Sequence, residues 1–233
     1  MRDAPARVSR SRIDQAGERL RRHRTTPLDS FELREELEIV GRFRNEWAET
    51  PQPMVKTNMG VRSMAGTARI DAKISQRLKR VPRIVSKLTR YPRSRLTQMQ
   101  DIGGCRAVVS GLADLMRLRE RVDAAWAPDI VRTDDYVTNP KSSGYRAIHV
   151  VVRRDDHLIE VQLRTTLQNV WATTVEETEG RLGRYLRDDE TGEDADRLRD
   201  LAELYALLDR GEGPTEEMLR RLGIPLSLER PKG

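Results

Sequence analysis

Three short segments of the sequence carry residue types that suit phosphate chemistry on a nucleotide. They are Asp101–Arg106, Asn139–His149 and Glu160–Thr165. Asp101 precedes a pair of glycines, and Glu160 stands among apolar residues in a strand-like run. Mg²⁺ is usually held by one or two carboxylates together with phosphate oxygens, so these two acids suffice for a metal–nucleotide site. Taken singly, each acid also has a structural interpretation, in which Asp101 caps a turn and Glu160 pairs with an arginine.

The middle segment combines a basic, glycine-containing loop with an aromatic residue and a histidine. Lys141 lies beside small residues that let a backbone approach a ligand closely. Tyr145 follows a glycine, so its ring is either a platform for a nucleotide base or a strand aromatic in the core. His149 either acts near a reacting hydroxyl or holds the loop by a hydrogen bond. On these residues alone, both roles of Tyr145 and of His149 stay open.

The charge of the chain favours anionic partners. The 233 residues include 43 Lys and Arg against 37 Asp and Glu, which gives a net charge of +6. Residues 77–106 contain nine Lys or Arg residues and one acid, Asp101. Such a local field gathers phosphates. A solvated helix face is the alternative interpretation of this run, but the run leads directly into an apolar strand pattern.

Cysteine usage and hydropathy together indicate a soluble, cytoplasmic protein. Cys105 is the only cysteine, so no disulfide forms within the chain, and its apolar surroundings suit a small buried side chain. The sequence has no run of about eighteen apolar residues, the length expected of a membrane span. Residues 1–24 are too rich in arginine for a secretory signal. We therefore expect an intracellular, reducing location.

The order of the expected elements is that of an α+β fold, in which helices flank a small mixed β-sheet. Residues 1–26 form a basic, partly ordered arm, and apolar residues spaced by three and four predict an amphipathic helix over Asp29–Trp47, ended by the prolines that follow. Further helices are predicted over Ala65–Leu78, between Pro82 and Tyr91, and over Leu112–Ala125, Thr165–Leu182, Arg197–Leu208 and Thr215–Leu222. Strands are predicted at Cys105–Val109 and Ile130–Val131, with a hairpin of Ile148–Val152 and Leu158–Leu163.

Taken together and in order, these segments resemble a known family. Arg77-Leu78-Lys79 with Lys87-Leu88, then Asp101–Arg106, Gly144–His149 and Glu160–Thr165, are similar to the synthetase domain of the RelA/SpoT alarmone enzymes. Members of this family move the β,γ-pyrophosphate of ATP to a ribose 3′-hydroxyl with Mg²⁺. The resemblance implies a nucleotidyltransferase-like synthetase domain over 76–182, with helical extensions at 27–75 and 183–233.

The resemblance also assigns roles to individual residues. Asp101 and Glu160 become the Mg²⁺ carboxylates, and Glu160 is also a candidate to help activate the acceptor hydroxyl. Four basic residues are assigned to ATP: Arg77 and Arg106 sandwich the adenine, and Lys79 and Lys87 hold the phosphates. Three residues are assigned to the acceptor: Tyr145 stacks on its base, and Lys141 and His149 help to fix it. This set is chemically coherent, because pyrophosphoryl transfer needs positioning and charge neutralisation more than a strong nucleophile.

Two departures from the family pattern limit what is carried over. Arg83 stands where the family usually has a serine, which adds a cation beside the expected ATP site. The chain also lacks the His-Asp hydrolase signature, and its only histidines are His23, His149 and His157. It therefore resembles a stand-alone small synthetase without hydrolase activity.

The acceptor is left open by the sequence. Small synthetases of one kind make guanosine tetra- or pentaphosphate from GDP or GTP. Toxic members, including phage-encoded ones with an antitoxin protein as partner, include enzymes that instead modify the 3′-terminal adenosine of tRNA. The basic arm and the arginines between residues 77 and 95 suit the long polyanion of tRNA, but they suit ATP as well.

Two rival interpretations belong to other classes of protein. In the first, the chain is a non-catalytic nucleic-acid-binding module whose acids serve only ion pairs. In the second, it is a structural partner protein built on the amphipathic helices at 29–47 and 197–222. Apolar helix faces of this kind more often cover the core of their own domain.

Overall fold

The computed structural model describes residues 8–23, 25–49, 52–155, 157–182, 186 and 191–225. In this part of the chain eight α-helices accompany one five-stranded sheet, so the predicted α+β class is confirmed. The helices are α1 (Arg10–Arg22), α2 (Ser30–Glu49), α3 (Gln52–Thr67), α4 (Val81–Arg90), α5 (Leu112–Trp126), α6 (Thr166–Leu182), α7 (Glu193–Asp209) and α8 (Glu216–Arg221). The strands are β1 (Ala72–Leu78), β2 (Gly103–Val109), β3 (Ile130–Asp135), β4 (Ile148–Arg154) and β5 (His157–Thr165).

The order of strands in the sheet is β1-β2-β5-β4-β3, with β5 between β2 and β4. The predicted hairpin is confirmed, because β4 and β5 are hydrogen-bonded neighbours joined by a two-residue connection. The central strands carry almost continuous buried runs, including Val150–Val152 on β4 and Val161–Thr165 on β5. Such runs are typical of strands that are covered on both faces.

The predicted helix over Ala65–Leu78 is wrong. Helix α3 ends at Thr67, and residues 72–78 form the edge strand β1. Of the side chains of β1, only Ile74 is buried, so the strand has no alternating apolar pattern. Its conformation depends on backbone pairing with β2, which a sequence pattern does not show. The prolines after Trp47 were expected to end the helix over Asp29–Trp47. A new helix, α3, begins at these prolines. Pro53 lies in the first turn of α3, where the N–H that proline lacks would have no partner within the helix.

The chain forms two compact units. The first consists of the described residues within Met1–Met59, Ser75–Cys105 and Val151–Glu160. The segment expected to be a partly ordered arm contributes α1, which buries Ile13, Ala16 and Leu20. The α1 helix is fastened to α2 through the fully buried carboxylate of Glu36, which accepts hydrogen bonds from Arg12 at 2.6 Å and Arg19 at 2.5 Å.

The second unit consists of the described residues within Gly60–Ile74, Arg106–Val150 and Val161–Gly233. One of its cores forms between α6, α7 and the segment that leads into β4. The buried members of this core are Tyr145, Ala147, Trp171, Ala172, Val175 and Ala202. The indole N–H of Trp171 on α6 donates to the carbonyl of Leu198 on α7 at 2.8 Å, which ties the two helices together. Helix α7 begins at Glu193, four residues before the predicted start.

Among the described residues, no helix has the length and apolar character needed to cross a membrane. The proline-containing end of the chain, residues 226–233, and residues 187–190 of the charged break expected at Arg187–Asp196 lie outside the described residues.

Candidate functional site

The first group of predicted site residues meets around the carboxylate of Asp101. We call Lys79, Lys87, Asp101 and Glu160 the lysine–carboxylate cluster. Lys79 directly follows β1, Lys87 lies on α4, Asp101 comes just before β2, and Glu160 lies on β5. The ammonium groups of Lys79 and Lys87 both bind Asp101 Oδ2, and the Lys87 contact is 2.9 Å long. The structure thus brings together four of the five predicted site residues of the first unit, and the fifth is Arg77.

The charges of this cluster influence one another because the cluster is largely shielded from water. Burial acts to raise the pKa of the Asp101 carboxyl, but the charges of Lys79 and Lys87 outweigh burial and hold the pKa below its usual value. For Lys79, burial lowers the pKa, and the charge of Lys87 acts in the same direction against the attraction of Asp101. The side chains of Lys79 and Asp101 are 12% and 14% exposed, whereas that of Lys87 is 32% exposed. Lys87 is therefore the more accessible of the two cations.

Asp101 keeps one carboxylate oxygen available for a further ligand. Its Oδ1 atom is buried and has no hydrogen-bond partner among the described residues. The negative charge of Glu160 acts on both Asp101 and Lys79. In the described ranges no group of three or more His, Cys, Asp or Glu side chains is arranged to hold a metal ion. A cation at Asp101 and Glu160 would therefore complete its shell with water or phosphate oxygens, which is the coordination that Mg²⁺ favours.

A glycine lets the two strands that carry these acids approach closely. A Cβ atom at Gly104 on β2 would lie 3.0 Å from the backbone oxygen of Glu160 on β5 and 3.9 Å from Cγ of Arg77. The side chain of Arg77 therefore passes beside Gly104, near the start of β2. Gly103 is required for a different reason, since a Cβ atom there would lie 2.6 Å from the ring of Trp47. Gly104 thus allows β2 and β5 to approach each other, and Gly103 allows Trp47 to pack against β2.

Two further cations of the basic stretch, Arg83 and Arg106, lie on α4 and β2. Arg83 lies one turn before Lys87 on α4, so the two side chains share a helix face. Arg106 lies on β2, and its Nη1 atom is 3.4 Å from Oδ1 of Asn169 on α6. The expected joint role of Arg77 and Arg106 around an adenine stays a prediction.

The second group of predicted site residues meets around the hydroxyl of Tyr145. We call Tyr136, Lys141, Tyr145, His149 and Arg164 the tyrosine cluster. The Tyr145 hydroxyl is 2.6 Å from His149 Nε2 and accepts a hydrogen bond from Arg164 Nη2 at 2.7 Å. Lys141 Nζ lies 4.5 Å from the centroid of the Tyr136 ring and 5.5 Å from that of Tyr145, within the range of a cation–π contact.

Tyr145 is a core residue in this structure. Its side chain is only 4% exposed, and it packs in the same core as Trp171 and Ala202. Partly buried residues that pack against this core include Leu198, Leu201 and Tyr205, all on α7. The predicted stacking of this ring on a base therefore requires neighbouring side chains to move, because a buried ring offers no free face.

The loop before Tyr145 is also in contact with α7. Gly144 adopts a left-handed conformation with φ +84°, and a Cβ atom there would lie 2.5 Å from Cβ of Ala202. Arg146 donates to the carbonyl of Ala202 at 3.3 Å and to the carboxylate of Glu203 at 3.1 Å. Helix α7 thus contacts both residues that flank Tyr145 in the sequence, Gly144 and Arg146.

Comparison with known proteins identifies the middle of the chain. Residues 76–179 match the family described as "Region found in RelA / SpoT proteins". Residues 76–179 are similar to that family, and for this similarity we call them the RelA/SpoT region. Over 110 residues it is 34% identical to the GTP pyrophosphokinase YjbM of Bacillus subtilis (strain 168), a match that covers 43% of this chain and 52% of that protein. The chain spans about half the length of the curated relatives it matches.

Solved structures resemble the chain over a longer range. The small alarmone synthetase 1 of Bacillus subtilis, solved bound to its product pppGpp, has a TM-score of 0.60 at 24% identity and matches 73% of this chain and 94% of its own. At that identity the likeness concerns the fold. A GTP pyrophosphokinase family protein from Streptococcus pneumoniae has a TM-score of 0.54 at 27% identity and matches 71% of this chain and 90% of its own. All nine predicted site residues lie within the RelA/SpoT region, whereas α7 and α8 follow it.

Sequence reasoning missed two members of the tyrosine cluster. Tyr136 directly follows β3, and its ring lies edge-on to those of Tyr145 and His149 at centroid distances of 5.8 and 5.3 Å. Arg164 lies within a motif that we had singled out, but no role was given to it. The signal that identifies it is a charged residue in an otherwise buried run of β5, since a fully buried arginine needs partners inside the protein.

Proposed function

We propose that this protein is an ATP-dependent pyrophosphokinase that transfers the β,γ-pyrophosphate of ATP to the ribose 3′-hydroxyl of GDP or GTP. The observation that carries the proposal is the coordination of Asp101. One of its oxygens binds two lysines, and the other is buried without a partner among the described residues. Cations beside an available carboxylate oxygen form the arrangement that holds a polyphosphate and its metal ion together.

In this proposal the lysine–carboxylate cluster binds the ATP phosphates. Lys79 and Lys87 contribute positive charge at the transferred group, and Asp101 and Glu160 are the residues that would hold Mg²⁺. A Mg²⁺ ion held there would supply charge neutralisation at the phosphate oxygens. In the transfer the acceptor 3′-oxygen forms a bond to the β-phosphorus of ATP, the bond from that phosphorus to the α,β-bridging oxygen breaks, and AMP leaves. Glu160 takes the proton of the 3′-hydroxyl.

The tyrosine cluster is the proposed binding site for the acceptor base. Lys141, Tyr145 and His149 combine an aromatic ring, a cation and an imidazole, which suits a base next to phosphate groups. We favour a guanine nucleotide, because relatives of the RelA/SpoT region carry the name GTP pyrophosphokinase. The 3′-terminal adenosine of tRNA is the other acceptor, and the experiment below separates the two.

The test follows the label of γ-labelled ATP. Purified protein is incubated with this ATP and Mg²⁺, together with GDP, GTP, AMP or deacylated tRNA in separate reactions. We expect the label on a guanosine product. Label only on tRNA would overturn the guanine assignment but keep pyrophosphate transfer, and no label on any acceptor would contradict the function. The same reactions without Mg²⁺, and with Mn²⁺ or Ca²⁺ in its place, test the metal.

Matched variants distinguish this enzyme from a non-catalytic nucleic-acid-binding module. We expect Asp101→Asn and Glu160→Gln each to reduce label transfer about 100-fold or more, as is usual when a charge-stabilising group is removed from a transfer site. Asp155→Asn is the control, because Asp155 forms a half-exposed ion pair with Lys56 in the same unit. If Asp101→Asn binds RNA and acts in cells like the wild type, the binding-module interpretation is favoured instead.

A further inference from the structure

The buried guanidinium of Arg164 is the most unusual charge in the tyrosine cluster. Arg164 lies on β5 and is 2% exposed, and it is among the largest fully buried side chains. Among the described residues no carboxylate forms an ion pair with it. Burying a cation without an acid is costly, so the protein must hold it by other contacts.

Among the described residues, the Arg164 guanidinium donates hydrogen bonds to Tyr145 and Gln162. Its Nη2 atom donates to the Tyr145 hydroxyl at 2.7 Å and to Gln162 Oε1 at 3.1 Å. Its Cζ atom lies 5.3 Å from the centroid of the Tyr145 ring, which adds a cation–π contact. The Nε and Nη1 atoms are buried without a partner in the described part of the chain. Two unpaired donors reduce stability, so this arrangement is not optimised for folding.

The chemistry of these groups orients the Tyr145 hydroxyl. A guanidinium only donates hydrogen bonds, so the tyrosine oxygen must be the acceptor from Arg164. His149 Nε2 is 2.6 Å from the same oxygen, and it either accepts the hydroxyl proton or donates to the oxygen, depending on the tautomer of His149. A histidine that accepts at Nε2 is neutral and carries its proton on Nδ1. Arg164 therefore occupies one acceptor position of the Tyr145 oxygen and limits the orientations of its hydroxyl proton.

We infer that Arg164 is a positioning residue for the acceptor nucleotide. It holds the ring of Tyr145 at one end, through the hydroxyl, and presents His149 with its Nδ1–H group as a donor. The inference rests on the proposed function, in which these two residues bind the acceptor. It extends that function by giving the unpaired buried arginine a role in acceptor affinity rather than in stability.

The kinetic test compares Arg164→Met, Arg164→Lys and Tyr145→Phe with the double variant Arg164→Met/Tyr145→Phe. We expect the acceptor KM to rise about tenfold in Arg164→Met, the ATP KM to stay within about twofold, and Arg164→Lys to recover part of the loss. Because Arg164 acts through the Tyr145 hydroxyl, the double variant should be little worse than the poorer single variant. Single effects that multiply in the double variant would overturn the inference.

Thermal unfolding separates positioning from a structural role. Methionine removes a buried charge that has no acid partner, so we expect Tm to be unchanged or higher in Arg164→Met. A lower Tm with an unchanged acceptor KM would make Arg164 purely structural and overturn the inference. Arg164→Lys and Tyr145→Phe allow the same comparison if the methionine variant does not fold.

A spectroscopic test does not depend on activity. In ¹⁵N-histidine NMR, with His149→Gln used to assign the resonances, we expect the wild-type Nε2 of His149 to be unprotonated and its Nδ1 to be protonated near pH 7.5. In Arg164→Met the hydroxyl loses its fixed orientation, so the ¹⁵N shifts of His149 should move. Unchanged shifts would overturn the inference even if pyrophosphate transfer is confirmed, and altered shifts would support it even if no transfer is found.

Discussion

The lysine–carboxylate cluster and the tyrosine cluster differ in how they are prepared for a ligand. The first is made of opposed charges and keeps a partly exposed cation, Lys87, at 32% exposure. The second is made of two tyrosines, a histidine, a lysine and an arginine, and its central residues Tyr145 and Arg164 are 4% and 2% exposed. Charged groups remain partly hydrated because desolvation is costly, whereas aromatic rings pack closely when a helix is available to cover them.

This difference implies different binding steps for the two proposed substrates. A polyphosphate can replace contacts that already exist between lysines and Asp101, with small rearrangements of flexible side chains. A base can stack on Tyr145 only after the packing of α7 against this ring is loosened, because the ring has no exposed face. The comparison can be tested by variants that affect one cluster and leave the other unchanged.

The largest effect is expected from Lys79→Met. The substitution removes a cation that binds Asp101, so kcat/KM for ATP should fall about 10²–10³-fold, whereas the acceptor KM should change little. Steady-state kinetics with each substrate varied in turn measures both quantities. Lys56→Met is the matched control, since Lys56 also pairs with an aspartate but is 56% exposed. Equal losses for the two variants would show that the buried lysine has no special role.

The next largest effect is expected on stability, from Gly144→Ala. Two glycines have similar left-handed backbones, Gly144 with φ +84° and Gly211 with φ +76°, but only Gly144 has Ala202 against it. Gly211→Ala should therefore lower the free energy of unfolding by about 1–2 kcal/mol, through the backbone conformation alone. Gly144→Ala should cost about 2 kcal/mol more, because a methyl group must displace α7. Urea unfolding measures the loss of stability of each variant. Equal losses would mean that α7 can move away from the added methyl group at little cost in free energy.

A smaller effect is expected from Glu203→Gln, and it is a gain in acceptor affinity instead of a loss of activity or stability. This variant removes the ion pair that joins α7 to Arg146, in which the two side chains are 47% and 17% exposed. An ion pair that is partly exposed contributes at most about 1 kcal/mol, so the acceptor KM should fall only about two- to fivefold.

Glu193→Gln is the control for Glu203→Gln, because Glu193 pairs with Arg197 on the exposed side of the same helix. It should leave the acceptor KM unchanged. A higher acceptor KM in Glu203→Gln would show that α7 forms a wall of the acceptor site instead of a cover.

The smallest effect is expected in the dependence of stability on pH. The folded pKa of Asp101 lies below its usual value, because Lys79 and Lys87 outweigh the effect of burial. Its ionised form therefore contributes stability above the unfolded pKa of about 3.9, and this contribution is lost as the pH falls through the lower folded pKa. Urea unfolding between pH 2 and pH 6 should show a steeper acid decline for the wild type than for Asp101→Asn. Parallel curves would contradict the depressed pKa.

The elements of the fold that could be predicted are those whose side chains form a clear apolar pattern in the sequence. The apolar spacing of Asp29–Trp47 corresponds to α2, and the two apolar runs Ile148–Val152 and Leu158–Leu163 correspond to the hairpin of β4 and β5. Edge strand β1 was not predictable, because only Ile74 is buried and the strand conformation comes from pairing with β2. The meeting of Lys79, Lys87 and Asp101 was expected only through a family resemblance, since residues 22 and 14 positions from Asp101 carry no local signal of contact.

The chemical inventory can be read directly from the amino-acid sequence: the acids, the lysines, the glycine pair and the aromatic loop, together with their order along the chain. Composition and spacing are properties of the chain, so they require no knowledge of long-range contacts. The folded chain adds three facts: Asp101 has one oxygen bound by two lysines and one without a partner among the described residues, α7 covers Tyr145, and Arg164 is buried beneath the hydroxyl of Tyr145. These facts depend on burial and on contacts between segments far apart in the sequence, and it is burial that changes the strength of a charge or a hydrogen bond.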